Sequence, residues 1–152
     1  MESMNGEAIA RPGGIGHVRL TVTDIARSKA FYERALGTAP AQDFSDQAGD
    51  PDVSADPDRL FGGCVFALGD QVLGLRPAAA AGDRFSSIRV GLDHVSLQLA
   101  SVAELRAAEQ RLSEAGIEHG ELRELTDFGM AIVSFQDPDD INLELAAPLE
   151  AS

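Results

Sequence analysis

Two histidines hold equivalent places in two similar stretches of this chain: His17 in Gly14-Ile-Gly-His17-Val-Arg-Leu-Thr-Val22 and His94 in Gly91-Leu-Asp-His94-Val-Ser-Leu-Gln-Leu99. A further strand-like run, Asn142 to Ala146, carries the acid Glu144. Two imidazoles and one carboxylate are the donors of a 2-His-1-carboxylate site, which grips a divalent ion and leaves coordination positions open to a substrate. Taken singly, each is also explained as a solvated surface residue. The same histidine in two repeats, with an acid on a similarly patterned strand, favours the site.

The elements that must position these groups follow from period-two alternation, which sends successive strand residues to opposite faces. Val18, Leu20 and Val22 share one face and His17, Arg19 and Thr21 the other; Val95, Leu97 and Leu99 oppose His94, Ser96 and Gln98; Leu143 and Leu145 oppose Asn142, Glu144 and Ala146. The apolar faces are expected to receive helices. Arg19, Ser96 and Gln98, sharing faces with the histidines, are candidate substrate-binding residues. His119 reads as a solvated strand residue, and Tyr32, in a helical pattern beside Phe31, as packing.

Each copy continues in the same grammar. After the first strand, Asp24 offers an N-cap, Ile25 to Leu36 runs helically with Phe31, Ala35 and Leu36 on one side, and Gly37 is a stop. After the second, Ser101 and Glu104 form an S-x-x-E capping box, Val102, Leu105, Ala108 and Leu112 make an apolar stripe, and Gly116 ends the helix. Three further strands are expected in each half: Ala39 to Phe44, Gly63 to Leu68 and Gln71 to Arg76, then Ile117 to Glu124, Met130 to Gln136 and Asn142 to Ala146. Gly69-Asp70 and Asp137-Pro-Asp-Asp140 are the hairpin turns. The chain therefore reads as a loose tail (1–13), a first βαβββ module (14–76), a linker (77–90), a second βαβββ module (91–148) and a short tail (149–152), making one structural domain. The aspartate-rich Ser45 to Arg59 reads as a solvated loop, with a mobile lid as the functional alternative.

With 152 residues, the chain has the size of one ordinary domain. Its 25 acidic against 12 basic side chains leave a formal charge of −13, a field that repels phosphate backbones and anionic lipid. Nucleic acid and membrane are therefore excluded as expected partners. The lone Cys64, in the apolar run Cys64-Val-Phe-Ala-Leu68, reads as a buried free thiol, which fits a reducing cytoplasm. Neither a secretory leader in Met1 to Gly13 nor a spanning segment is expected.

Three motifs together carry a family resemblance over about residues 14 to 148. They are His17-Val-Arg-Leu-Thr-Val-Thr-Asp with the helix Ser28-Lys-Ala-Phe-Tyr-Glu-Arg-Ala-Leu-Gly37, then Leu92-Asp-His94-Val-Ser-Leu, then Asp137-Pro-Asp-Asp-Ile-Asn-Leu-Glu144-Leu. In these the chain resembles the vicinal oxygen chelate superfamily of glyoxalases, epimerases, fosfomycin-resistance enzymes, extradiol dioxygenases and bleomycin-resistance proteins. The resemblance implies an α+β fold, two tandem βαβββ modules forming a cupped mixed sheet, with a metal on the concave side chelated by two neighbouring substrate oxygens. His17, His94 and Glu144 fall on the metal-ligand positions, and Glu144 is also the candidate catalytic residue. The implied cofactor is a divalent metal ion: Fe, Mn, Zn or Ni. The usual fourth ligand position falls on Leu73 or Gly74, neither of which can ligate through its side chain; Gln71, on the face of Leu73, is the possible substitute. A further departure is Asp140 where the family turn prefers glycine, tolerable because aspartate visits left-handed backbone more readily than most residues.

Lacking the fourth ligand weakens an isomerase reading, in which a carboxylate near the metal moves a proton between carbons. A three-ligand site resembles instead the dioxygenases or the fosfomycin-resistance enzymes. The expectation is a metalloenzyme acting on a small oxygenated metabolite. The alternative is a metal-free protein that binds a cationic drug or metabolite, as bleomycin-resistance members do. A homodimer is expected from the resemblance, with His17 sharing a metal with His94 and Glu144 of the same chain or of the partner.

Overall fold

The protein is described by a computed structural model over residues 6–150. The tails expected at 1–13 and 149–152 lie partly outside those residues; 6–13 are exposed and carry no helix or strand. The chain divides into two compact units, Met1–Ala78 and Ala79–Ser152.

The first unit runs β1 (His17–Thr21), α1 (Ile25–Leu36), β2 (Gln42–Asp43), the short helix α2 (Pro51–Ser54), β3 (Cys64–Leu68) and β4 (Gln71–Arg76). Its sheet has the order β1-β4-β3-β2, with β1 parallel to β4 and the other pairs antiparallel. The second unit repeats this with β5 (Val95–Gln98), α3 (Val102–Glu114), β6 (Arg123–Leu125), β7 (Met130–Gln136) and β8 (Asn142–Pro148), in the order β5-β8-β7-β6. Both units are thus βαβββ, and the fold is α+β.

The helices begin and end where their caps dictate. Asp24 accepts from the Arg27 backbone N–H at 3.1 Å, and Gly37 closes α1 at φ 68°, a left-handed conformation that glycine adopts without a Cβ penalty. Ser101 accepts from the Glu104 N–H, while the Glu104 carboxylate reaches back to the N–H of Ala100, one residue before the cap. The buried stripe of α1 is Ile25, Ser28 and Tyr32 rather than Phe31, Ala35 and Leu36. A rotation of one residue, about 100°, brings the Tyr32 ring, fully buried, beside Phe66 on the inner face of the sheet, and leaves Phe31 half-buried with its ring edge-on to Tyr32. Leu20, Val22, Cys64, Leu73 and Leu75 complete that core; Leu105, Val133, Phe135, Leu143, Leu145 and Ala147 form its counterpart in the second unit.

Three further expectations change. Ser45 to Arg59 is not a free loop or lid but a chain of short helical turns. In it the carboxylates of Asp43, Asp50 and Asp56 accept from the N–H groups of Ser45, Asp52 and Asp58 at 2.9 Å each, and Val53 is fully buried. The strand expected over Ala39 to Phe44 narrows to β2, because Pro40 has no N–H to donate. The strand expected over Ile117 to Glu124 is reduced to β6 plus one bridge between His119 and Phe135, since the Glu109 carboxylate captures the Leu122 N–H at 2.7 Å. Asp140 takes the left-handed conformation expected of it, φ 67°. Among the described residues, no helix is long and apolar enough to cross a membrane.

Candidate functional site

Parallel pairing of β5 with β8 sets Ser96 opposite Glu144 and Gln98 opposite Ala146, so the polar positions of both strands share one face. His94, just before β5, lies at the same end. Its ring is bracketed by two carboxylates: Nδ1 lies 2.6 Å from Asp93 Oδ1, and Nε2 lies 3.6 Å from Glu144 Oε1. The hydrogen bond with Asp93 raises the His94 pKa above 6.5; burial opposes it, and the negative charge of Glu144 adds to it. Proton placement follows from the geometry. Nδ1–H donates to Asp93, and Nε2 is turned toward Glu144.

These groups line an open cleft of about 530 Å³ together with Glu118, His119, Gln136 and Asn142. His119 is not a further donor, because both ring nitrogens are engaged, Nε2 with Ser113 Oγ at 2.6 Å and Nδ1 with the Gly120 carbonyl at 2.7 Å. The Gln136 amide donates to Asn142 Oδ1 at 2.9 Å, which fixes the cleft wall beside β8.

An ion bound at ~2.1 Å to a nitrogen and an oxygen separates those donors by about 3.0–3.4 Å at tetrahedral or octahedral angles. The observed 3.6 Å between His94 and Glu144 is close to this, and a histidine whose far nitrogen donates to a carboxylate is in the usual state of a metal ligand. Two donors of the expected three are therefore together. No cluster of three or more His, Cys, Asp or Glu arranged to hold a metal occurs among the described residues.

His17 and Arg19 belong to the first unit, both exposed on the polar face of its sheet. Register there separates the two residues on which a fourth ligand position was expected. Arg19 pairs with Gly74 and Val18 with Leu73, so Gly74 lies on the face of His17, while Leu73, nearly fully buried, lies on the core face. Alternation sends Gln71 with Leu73 to that opposite face, which removes it as a substitute ligand. A Cβ placed on Gly74 would meet Arg19 Nε at 3.3 Å and Cγ at 3.4 Å. The space of the missing side chain is filled by the arginine together with Val65, whose Cγ1 would lie at 3.3 Å.

Two parts of this arrangement have little or no signal in the sequence. Asp93 was legible only as an acid adjoining a histidine, in a segment where strand alternation does not apply. Phe61 and Arg76, whose guanidinium carbon stands 3.7 Å from the Phe61 ring centroid, meet across the first unit with no local pattern.

A family model described as the Glyoxalase/Bleomycin resistance protein/Dioxygenase superfamily matches residues 14–145. Among solved structures, the chain is similar to a glyoxylase/bleomycin resistance protein/dioxygenase domain from Frankia sp. EAN1pec, with 27% identity, 93% of this chain and 96% of that one covered, and a TM-score of 0.66. The fold is shared with the fosfomycin resistance protein FosX of Listeria monocytogenes, at 18% identity, coverage of 90% and 94% and a TM-score of 0.64. It is shared too with a lactoylglutathione lyase from Agrobacterium tumefaciens, at 18% identity, coverage of 91% and 96% and a TM-score of 0.61. No curated protein gives a significant match.

Proposed function

The chain belongs to the glyoxalase/bleomycin resistance protein/dioxygenase superfamily, and we propose that within it this protein is a divalent-metal enzyme acting on a small oxygenated metabolite. The observation that carries the reading is the bracketed imidazole of His94, oriented by Asp93 on one side and facing Glu144 on the other. His94 and Glu144, with His17 of the same chain or of a partner, would hold Fe, Mn, Zn or Ni. When bound, such an ion polarises a substrate oxygen and stabilises the negative charge that develops there.

The chain's own groups supply the rest. Asp93 keeps the proton of His94 on Nδ1 and so leaves Nε2 free to donate its lone pair. Glu144 approaches His94 through Oε1, which leaves Oε2 to accept a substrate proton into the cleft. Ser96, beside Glu144 in the sheet, and Gln98, one step further along the same face, present hydrogen-bonding groups to substrate oxygens; Arg19 does so on the first unit. We place the protein in the cytoplasm, where the buried thiol of Cys64 stays reduced. We also assign it a homodimer, supported by the full exposure of Ile88 and Val90, two large apolar side chains close together before β5.

Metal analysis of untagged protein tests the reading. A stoichiometric divalent ion is expected in the parent and its loss in His17→Ala, His94→Ala and Glu144→Ala. An ion-free parent, under conditions that load a control metalloprotein, overturns it. The acidic lining, Asp93, Glu118 and Glu144, also suits an organic cation. Stabilisation in a thermal-shift screen by basic aromatic compounds, and by no divalent ion, would select that metal-free binding role instead.

A further inference from the structure

We propose that the polar face of the first sheet is an oxyanion-binding subsite, in which Arg19 and Arg76 grip a carboxylate or phosphoryl group over the ring of Phe61. The two repeats share one register, and at one cross-strand pair they carry opposite charge. Glu144 pairs with Ser96, two residues after His94; its counterpart Gly74 pairs with Arg19, two residues after His17. Where the second unit presents a carboxylate, the first presents a glycine covered by a guanidinium.

Arg19 is not alone there. Thr21 pairs with Arg76, which places Arg76 on the same face, and both guanidinium carbons stand over one ring, 5.7 Å and 3.7 Å from the Phe61 centroid. Neither guanidinium has a carboxylate within ion-pair distance among the described residues, although acidic side chains outnumber basic ones 25 to 12. Each guanidinium lies within the range of cation–π attraction to the ring, which leaves its charge without a counter-ion. Arg76 Nε is also one of two buried side-chain polar atoms with no hydrogen-bond partner among the described residues. A buried donor without an acceptor, on a face that carries a second unpaired cation near the same ring, is the arrangement that a planar or tetrahedral oxyanion completes, since a guanidinium fork matches either.

The backbone is bent to keep Phe61 in place. Leu60, Phe61 and Gly62 are consecutive left-handed residues, at φ 52°, 56° and 80°, and the two that carry a Cβ are strained there. The bend is locked by the Phe61 N–H on the Asp56 carbonyl and the Gly63 N–H on the Leu60 carbonyl, each at 2.9 Å. Strain kept at the residue that supports two unpaired arginines points to binding rather than to packing alone.

The subsite stands on the first unit by itself; that its anion is the acid group of the metal-chelating substrate rests on the function proposed above. The test therefore uses the metal-free protein at low ionic strength, titrated with inorganic phosphate and separately with acetate, and followed by NMR. Saturable shifts are expected at Arg19, Phe61 and Arg76 with at least one probe, and the stronger probe assigns the group as phosphoryl or carboxylate. Arg19→Gln is expected to weaken binding at least tenfold, and Gly74→Glu to abolish it by supplying a tethered carboxylate. Glu144→Ala, which removes the proposed metal donor, is expected to leave it unchanged; retained phosphate or acetate binding in a protein that holds no metal would thus separate the two proposals. Absence of saturable shifts with both probes in the folded parent, or unchanged affinity in folded Arg19→Gln, overturns the subsite.

Discussion

Replacing Asp93 by asparagine tests how the cleft prepares His94. The carboxylate lies 2.6 Å from Nδ1, a charge-assisted hydrogen bond that fixes both the tautomer and the ring orientation. Outer partners of metal-bound histidines are worth ~10–100-fold in metal affinity. Asp93 is 76% exposed and His94 45%, so solvent screening places this one near the lower end, about tenfold or about 1.4 kcal/mol. Asparagine keeps the size and an acceptor oxygen but loses the charge. Asp93 also raises the His94 pKa above 6.5, so in the parent a proton competes with the metal to a higher pH than at a free imidazole. Removing the charge lowers that pKa. The affinity penalty of Asp93→Asn is therefore expected to be largest at alkaline pH and to shrink as the pH falls and protons compete for the His94 of the parent. Chelator competition with Zn²⁺ or Mn²⁺ at several pH values reads this directly, and imidazole NMR of the metal-free protein reads the pKa. An affinity within twofold of the parent at pH 8, while His94→Ala abolishes binding, would refute the orienting role.

Other substitutions probe the scaffold. A Cβ on Gly63 would stand 1.8 Å from the Leu75 carbonyl oxygen, a backbone atom that cannot step aside. Gly63→Ala is expected to cost about 3 kcal/mol or more and to lower the melting temperature by roughly 6–12 °C; a calorimetric melt unchanged within error would contradict the packing. Asp137→Ala leaves the N–H groups of Asp139 and Ile141 without the buried carboxylate oxygen they share at 2.8 and 2.9 Å. Denaturant titration should show a loss of about 2–4 kcal/mol, and a loss below half of that would mean that water replaces the carboxylate. Burial pushes the Cys64 thiol up to about 12, so at pH 8 the folded protein should not react with a disulfide reagent, whereas the unfolded chain should react at once.

Local signals were readable and distant ones were not. Asp24 with Gly37, and Ser101 with Gly116, are stop-and-start pairs within single helices, and both helices lie between them. Alternation likewise placed His17, Arg19, Ser96 and Glu144 on polar faces without knowledge of any neighbour. The aspartate-rich segment reads as a loop by composition, whereas its spacing encodes helical turns. Asp50-Pro51 and Asp56-Pro57 are each an N-cap followed by a proline in the first turn, a helix-start signal in the sequence itself. By contrast, the choice between Leu73 and Gly74 needed the register of β4 against β1. A one-residue slip reverses every face, and nothing within β4 alone fixes that register. The shortening of β6 depends on Glu109 reaching Leu122 from another element.

Duplication also separates what the fold requires from what the sites require. Strand order, pairing direction and capped helices recur in both units, so selection for folding alone would keep the apolar positions, and does: Leu20 answers Leu97 and Leu75 answers Leu145. On the polar faces the histidine recurs, but the residue beside it diverges from Arg19 to Ser96, and the partner strand from Gly74 to Glu144. These two changes are coupled by volume and by charge. A glycine opposite the arginine gives its side chain room to lie over the sheet, whereas a serine opposite the glutamate leaves the acid uncrowded and unneutralised. An arginine at position 96 would sit beside Glu144 and compete with a metal for its carboxylate; a glutamate at position 74 would neutralise Arg19. Each face is therefore self-consistent for ligands of opposite charge.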